Sequence, residues 1–171
     1  MKPSLTDILC TRCGLCCDGS LFADVELAST GETSALEVMG LEIEDTDADD
    51  GALLLQPCRA LKGTRCSIYP HRPDCCRTFE CRLLQKVRRG GVTVEQAKEK
   101  IAEALQRVQR IKELILQLGQ SNERLPLKER CQEALALSEE SPDPEMNRKR
   151  DELESAMTSL ESLIEATFLG G

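Results

Sequence analysis

Nine of the ten cysteines of this 171-residue chain lie within its first 90 residues, and this uneven distribution constrains the fold most strongly. Phe, Tyr and Trp number 3, 1 and 0, so aromatic side chains can supply little of a core. The single histidine, His71, excludes sites that need two or more imidazoles, such as a His-rich catalytic zinc site. A Ser-His-Asp or Cys-His mechanism would depend on His71 alone. Cysteine chemistry is therefore the central functional question.

The distribution of the cysteines favours metal binding over disulfide bonding. Residues 92–169 contain a single cysteine, Cys131. The disulfide bonds that stabilise a secreted miniprotein would not be confined to one half of the chain. The N-terminus has no apolar core long enough for a secretory signal, and the longest apolar runs, such as 52–55, cannot cross a bilayer. We therefore expect a cytoplasmic protein with reduced thiols, no membrane segment and cysteine clusters that bind metal.

Charge is distributed as unevenly as cysteine. Lys and Arg total 22 against 30 for Asp and Glu, and the net charge of -8 disfavours a general nucleic-acid binder. Residues 24–50 hold ten acids and no Lys or Arg, whereas residues 58–89 hold nine basic residues and two acids. Six arginines lie within a few residues of a cysteine: Arg12, Arg59, Arg65, Arg72, Arg77 and Arg82. These arginines either offset the negative charge of metal-bound thiolates or form a solvated basic face.

The chain divides near Gly90-Gly91 into a cysteine-cluster domain, 1–90, and a helical tail, 91–171. Thr93 and Gln96 form a capping-box pattern at the start of a long helix that Gly119 ends. A shorter helix is predicted over about 127–139, with Cys131 on its apolar face. After Ser141-Pro142-Asp143-Pro144, a last helix carries an apolar stripe formed by Leu153, Met157, Leu160, Ile164 and Phe168. The tail is predicted to be a helical hairpin or three-helix arrangement, with a surface for a protein partner.

The first half of the chain has less regular patterns. Strands are predicted over 20–27, 52–56 and 67–69. Helices are predicted over 32–39, ended by Gly40, and over 73–89. The fold class is therefore mostly α, with a small irregular α+β cysteine-rich metal-binding part.

The first cysteine cluster is Cys10-x-x-Cys13-x-x-Cys16-Cys17. Two-residue spacing lets a tight turn bring two thiolates onto one metal, as in zinc knuckles and iron–sulfur loops. A bacterial ferredoxin run would place three residues before its fourth cysteine, and Cys17 departs from that spacing. Because adjacent side chains diverge, Cys16 and Cys17 do not readily bind one tetrahedral ion. They serve two centres, or one is a ligand and the other packs.

The second cluster contains five cysteines: Cys58, Cys66, Cys75, Cys76 and Cys81. On one continuous helix Cys76 and Cys81 would lie about 140° apart, since each residue turns about 100°. Cys76 and Cys81 can bind the same metal only if the helix begins near or after Cys76. The alternative is that they belong to two separate metal centres. The competing interpretation of both clusters is buried free thiols. Metal ligation would compensate for the small aromatic content, since structural zinc couples on the order of 10–16 kcal/mol of binding free energy to folding.

The combined pattern resembles the CxxCxxCC family, the YkgJ-type cysteine-cluster proteins, described as zinc or iron chelators. The resemblance covers about residues 10–85 and is carried by Cys10, Cys13, Cys16, Cys17, Pro57-Cys58, Cys66 with Ile68-Tyr69, Arg72-Pro73, Cys76-Arg77 and Phe79-x-Cys81. It implies bound zinc or iron, including an iron–sulfur cluster. The ligands it implies are Cys10, Cys13, Cys16, Cys17, Cys58, Cys66, Cys76 and Cys81. Cys75 and Cys131 fall outside the family pattern.

The sequence therefore predicts a metal-binding protein that holds zinc or an iron–sulfur cluster through two cysteine sets. Flagellin lysine-N-methylases are similar in carrying this cysteine domain, so the alternative is an iron–sulfur redox or protein-modification enzyme or accessory. A third alternative is a zinc-dependent adaptor for nucleic acid or protein. No catalytic residue, substrate or reaction follows from the sequence, and His71 is expected in an exposed loop. Residues 45–51 resemble a calcium loop, but its sixth position is Asp50 and its twelfth is Gln56, which favours a solvated acidic loop.

Overall fold

The computed structural model describes residues 3–47, 51–139 and 141–170. The chain forms two compact units, Met1–Glu80 and Cys81–Gly171. Helices predominate in the described residues and the strands are short, which confirms the predicted fold class. The division at Glu80 and Cys81 lies before the Gly90-Gly91 boundary proposed from the sequence.

The first unit contains three helices and five short strands among the described residues. The helices are α1 (Leu5–Cys13), α2 (Thr30–Val38) and α3 (Asp74–Thr78), and a 3₁₀ turn spans Tyr69–His71. The strands are β1 (Asp24–Leu27), β2 (Ile43–Asp45), β3 (Ala52–Leu55), β4 (Leu61–Lys62) and β5 (Arg65–Cys66). Strands β1 and β2 pair antiparallel with the central β3, and β4 and β5 form a separate hairpin.

Apolar residues from the sheet and α2 form the core of the first unit. Its buried members are Leu27, Leu36, Leu41, Ala52, Leu54 and Ala60. Four thiols pack against this cluster, namely those of Cys58, Cys66, Cys75 and Cys76. The sheet and α2 therefore present an apolar base on which these four cysteines of the second cluster lie.

The second unit is helical throughout its described elements. Its helices are α4 (Arg82–Arg88), α5 (Val94–Gln117), α6 (Leu127–Leu137) and α7 (Pro144–Ile164), and α7 continues as a π-helical segment, Glu165–Leu169. Helix α5 packs against both α6 and α7, which also contact each other. The predicted three-helix arrangement is thus present.

The sequence signals for the second unit are confirmed in detail. The Thr93 side chain accepts from the Gln96 backbone N–H, and the Gln96 side chain accepts from the Thr93 N–H at 2.9 Å. Along the last helix Leu153, Leu160, Ile164 and Phe168 are buried and Met157 is half-buried. Cys131 is buried on α6, where burial raises the pKa of its thiol to about 11.

The predictions for the first unit have mixed outcomes. The strand predicted over 52–56 and the helix predicted over 32–39 are present, and Gly40 follows α2 with a φ of 82°. Of the strand predicted over 20–27, only Asp24–Leu27 forms. The strand predicted over 67–69 is wrong, because Pro70 lacks an N–H and lies in the 3₁₀ turn.

Three further predictions concern the acidic loop, the helix over 73–89 and membrane insertion. Within the calcium-like stretch, residues 48–50 lie outside the described residues. The helix predicted over 73–89 is interrupted between Thr78 and Arg82, which separates α3 from α4. No helix in the described part of the chain is long and apolar enough to span a membrane.

Candidate metal centre

Helix α1 carries the first two cysteines of the first cluster. Ser4 and Asp7 form a capping box at its start, with the Ser4 Oγ accepting from the Asp7 N–H at 3.1 Å. Cys10 and Cys13 are three residues apart and therefore share one face of the helix. This helix was missed from the sequence, although the Ser4-x-x-Asp7 spacing is a helix-start signal.

Gly14 redirects the chain after α1 so that Cys16 and Cys17 fall in the following turn. Its φ of 71° is a left-handed conformation that favours glycine. The turn is closed by a 2.9 Å hydrogen bond from the Cys17 N–H to the Gly14 carbonyl. A Cβ at Gly14 would lie 3.3 Å from the Thr64 Cα, so the β4–β5 hairpin closely approaches this glycine.

Two hydrogen bonds join the first cysteine cluster to the second. The Cys58 N–H donates to the Cys17 carbonyl at 2.7 Å. The Thr64 hydroxyl, in the hairpin turn, donates to the Thr11 carbonyl at 2.8 Å. Segments more than forty residues apart in sequence are thereby held side by side, with Cys66 on strand β5 of the same hairpin.

The thiol of Cys17 lies near thiols of both clusters. The pKa of Cys17 is raised from its usual 9.0 to about 12, first by burial and then by the negative charges of Cys58, Cys66, Asp18 and Cys10. Burial also raises the pKa of Cys58, with Cys66 acting in the same direction. These groups oppose one another's ionisation, which indicates that the four thiols share one electrostatic environment.

Cys75 and Cys76 form a hydrogen-bonded pair in α3. Their Sγ atoms are 4.0 Å apart. The pKa of Cys76 is raised, first by the hydrogen bond with Cys75 and second by burial. The charges of Cys17 and Cys58 raise it as well. The same hydrogen bond lowers the pKa of Cys75, which therefore loses its proton before Cys76 does. Cys76 thus belongs to the same group of interacting thiols as Cys17 and Cys58.

A model of the CxxCxxCC family matches residues 9–101 of the chain and carries the description "Putative zinc- or iron-chelating domain". The chain belongs to the CxxCxxCC family. Membership supports metal binding by this cysteine-rich domain at family level. No curated protein and no solved structure shows a significant match to the chain.

The residues present fit a metal of the CxxCxxCC family in donor chemistry. Soft thiolates are the ligands that zinc and iron–sulfur clusters favour, and Cys10, Cys17, Cys58, Cys66 and Cys76 interact electrostatically in the first unit. In the described ranges, no group of three or more His, Cys, Asp or Glu side chains is already arranged to hold a metal ion. None of the cysteines in the described ranges forms a disulfide bond.

The remaining predicted site residues have different positions. Cys81 caps the start of α4 in the second unit, where its carbonyl accepts from the Gln85 N–H at 3.1 Å. Cys13 and Cys16 are half-buried on either side of Gly14. His71 is exposed at the end of the 3₁₀ turn, as predicted.

Tyr69 connects the segment after Cys66 to α1, a role that the sequence did not indicate. A hydrogen bond joins its side chain to that of Asp7, and this interaction contributes to lowering the pKa of Asp7 after the larger effect of Ser4. The Arg72 guanidinium stacks 3.6 Å from the Tyr69 ring centroid, and its Nε donates to the Tyr69 carbonyl at 3.0 Å. Arg72 therefore contacts both the side chain and the backbone carbonyl of Tyr69. Arg59 instead forms a salt bridge in which its Nη2 lies 2.6 Å from Glu42 Oε1.

Replacement of Gly14 should disturb both folding and metal affinity. Gly14→Ala combines a strained positive φ with the close approach to the Thr64 Cα, and we expect it to lower the free energy of unfolding by about 2–3 kcal/mol. Gly63→Ala is a matched control because its φ is also positive, at 63°, but no heavy atom lies within 4 Å of the added Cβ. It should cost about 1–2 kcal/mol. Denaturant unfolding and a metal-competition titration measure both effects; equal losses of metal affinity would contradict the role of Gly14.

Proposed function

We propose that this member of the CxxCxxCC family binds zinc or iron through thiolates drawn from both cysteine clusters. The observation that carries the proposal is the 2.7 Å hydrogen bond from the Cys58 N–H to the Cys17 carbonyl, which holds the two cysteine clusters side by side. The upward shift of the Cys17 pKa, caused by burial and by Cys58, Cys66 and Cys10, agrees with this arrangement. The proposed ligands are Cys10, Cys13, Cys16, Cys17, Cys58, Cys66, Cys76 and Cys81. Cys81 is included on the sequence pattern alone.

The metal would replace protons that the buried thiols otherwise hold. Burial keeps Cys17 and Cys58 neutral in the metal-free protein, and a bound cation supplies the charge that favours their thiolates. The proposal includes a closer approach of these side chains to one another on binding. It also places the protein in the cytoplasm, where thiols remain reduced and able to bind metal.

Anaerobic purification followed by metal quantification and an absorption spectrum tests the proposal. Near-stoichiometric zinc with no visible colour would identify a zinc protein. Near-stoichiometric iron with broad visible absorption would identify an iron–sulfur protein and favour the redox or protein-modification alternative. A protein isolated and reconstituted without near-stoichiometric amounts of either metal would contradict metal binding.

Ligand substitutions test the residue assignments. Cys76→Ser and Cys13→Ser should each weaken metal binding by more than about 100-fold, because each removes a thiolate donor. Cys131→Ser is the matched control, since Cys131 is buried among the helices of the second unit. Cys75→Ser should also leave the metal content unchanged. Elemental analysis of the four purified variants provides the measurement, and an equal loss in all four would refute the assignment.

A further inference from the structure

We propose that Cys75 is an oxidation-sensitive thiol that forms a disulfide with Cys76 when a hydroperoxide is present. The disulfide would remove Cys76 from the metal ligands and release the metal. This inference rests on the proposed function in one respect, the assignment of Cys76 as a ligand. Cys75 is not among the proposed ligands, and the inference assigns it a separate role as a site of oxidation.

The positions of the two sulfur atoms support this pairing. Cys75 Sγ lies 4.0 Å from Cys76 Sγ and is hydrogen-bonded to it, so the second thiol already stands beside the first. Cys75 is also half-buried rather than enclosed, which leaves a path for a small peroxide.

The helix that carries the pair can adjust at small cost. Helix α3 has only five residues, and its N-cap, Pro73, makes no side-chain capping hydrogen bond. The backbone bonds nearest the pair are those from the Cys76 N–H to the Pro73 carbonyl, at 3.0 Å, and from the Phe79 N–H to the Cys75 carbonyl, at 3.1 Å. Closing a ring between neighbouring cysteines therefore disturbs a single short turn.

Two successive displacements complete the oxidation. The Cys75 sulfur attacks one oxygen of hydrogen peroxide, a sulfur–oxygen bond forms, the oxygen–oxygen bond breaks, and the departing hydroxide takes a proton to become water. The Cys76 sulfur then attacks the Cys75 sulfur, a sulfur–sulfur bond forms, and the sulfur–oxygen bond breaks to release a second water. The two thiols together lose two electrons and two protons, and one peroxide is reduced to two waters.

The covalent geometry of neighbouring cysteines makes the product reversible. Adjacent Cα atoms are about 3.8 Å apart across a trans peptide. Ordinary disulfides have Cα separations of about 4.4 Å or more, and bonds that depart from this geometry are more readily reduced. A monothiol reductant of the glutathione class should therefore restore both thiols and allow the metal to bind again.

Metal release during treatment with hydrogen peroxide tests the inference. We expect Cys75→Ser to release zinc at least about tenfold more slowly than the unmodified chain, because its Cys76 lacks an adjacent partner. Cys131→Ser is the control variant and should release zinc at the unmodified rate. Release is followed with a chromogenic zinc chelator, with the total zinc of each protein measured beforehand.

Peptide mass spectrometry tests the bond independently of any metal. Trypsin should yield the peptide 66–77, since the bond between Arg72 and Pro73 resists cleavage. After peroxide treatment, the fragment that contains Cys75, Cys76 and Arg77 should be lighter by two hydrogen atoms, and a monothiol should restore its mass. A bridge from Cys75 to another cysteine, or equally fast zinc release from Cys75→Ser, would overturn the inference. Absence of metal before peroxide would instead contradict the proposed function, and the fragment mass would still test the disulfide.

Discussion

Removal of the bound metal is expected to unfold the first unit, Met1–Glu80, and to leave the second unit, Cys81–Gly171, folded. Structural zinc contributes on the order of 10–16 kcal/mol of binding free energy that is coupled to folding. A domain of this size has a total stability of about 5–15 kcal/mol, so loss of the metal can exceed what the remaining interactions supply.

The cores of the two units explain the expected difference. The first unit has a cluster of six buried apolar residues, two of them alanines, with four thiols packed against it: Leu27, Leu36, Leu41, Ala52, Leu54 and Ala60. In the second unit α5 alone buries seven residues, and α6 and α7 add further apolar side chains to the same helical core. We therefore expect the first unit to depend on bound metal for its stability and the second unit to stay folded without it.

Hydrogen exchange measured by mass spectrometry distinguishes the two units. After chelation, amides of the first unit should exchange as in an unfolded chain, and amides of α5 and α7 should stay protected. The helical circular dichroism signal should decrease only slightly, because most helical residues lie in the second unit. Helices α5 and α7 contain 24 and 21 residues, whereas α1, α2 and α3 contain 9, 9 and 5. Addition of zinc should restore protection. Unchanged protection of the first unit after verified metal removal would contradict the prediction.

Long periodic helices could be predicted from the sequence because local interactions determine them. The Thr93 capping box and the apolar spacing after it specify α5 without any information about its neighbours. The stripe from Leu153 to Phe168 specifies α7 in the same way. These helices have their own N-terminal capping residues and apolar faces, so their positions in the sequence can be predicted without knowledge of their tertiary contacts.

Short elements of the first unit depended on contacts that a sequence pattern does not contain. Strands β4 and β5 have two residues each, too few for an alternating pattern, and they are placed by the hydrogen bond from Thr64 to Thr11. The predicted strand over 67–69 failed because the apolar residues there precede Pro70, which enters a 3₁₀ turn. The tertiary environment decides such segments.

The spacing of the cysteines could suggest metal binding but not the grouping of the thiols. The sequence treats Cys10-x-x-Cys13-x-x-Cys16-Cys17 as one set and the cysteines after Pro57 as another. In the structure the Cys58 N–H donates to the Cys17 carbonyl, and the pKa of Cys17 responds to Cys58 and Cys66. Pairings between such distant segments follow from the chain path.

The zinc affinity of the protein should rise steeply with pH. Burial raises the pKa of Cys17 to about 12 and also raises that of Cys58, and Cys76 is shifted upward by its hydrogen bond to Cys75 and by burial. These thiols are protonated in the metal-free protein near neutral pH in either state of the first unit, because the usual pKa of a cysteine thiol is already 9.0 and burial raises it further. Zinc binds the thiolates, so each of the three must release a proton, and zinc affinity should increase by at least about 1,000-fold per pH unit over roughly pH 6 to 8.

The stability of the metal-free protein should have the opposite dependence at alkaline pH. Because the folded-state pKa of Cys17 is raised above its usual 9.0, its stabilising effect is complete below pH 9 and is lost as the pH rises toward about 12. The fraction of the metal-free first unit that is folded should therefore decrease further in this range. This contrast separates proton release on metal binding from a general effect of pH on folding.

Calorimetric titration with zinc in two buffers of different ionisation enthalpy measures the number of protons released. We expect about three or more per zinc for the unmodified chain and about one fewer for Cys17→Ser, because serine has no acidic proton to lose at these pH values. Cys131→Ser is the control and should release the same number as the unmodified chain, since its buried thiol lies on α6 in the helical unit. Release of fewer than one proton per zinc would show that the buried thiols of the first unit are not the ligands.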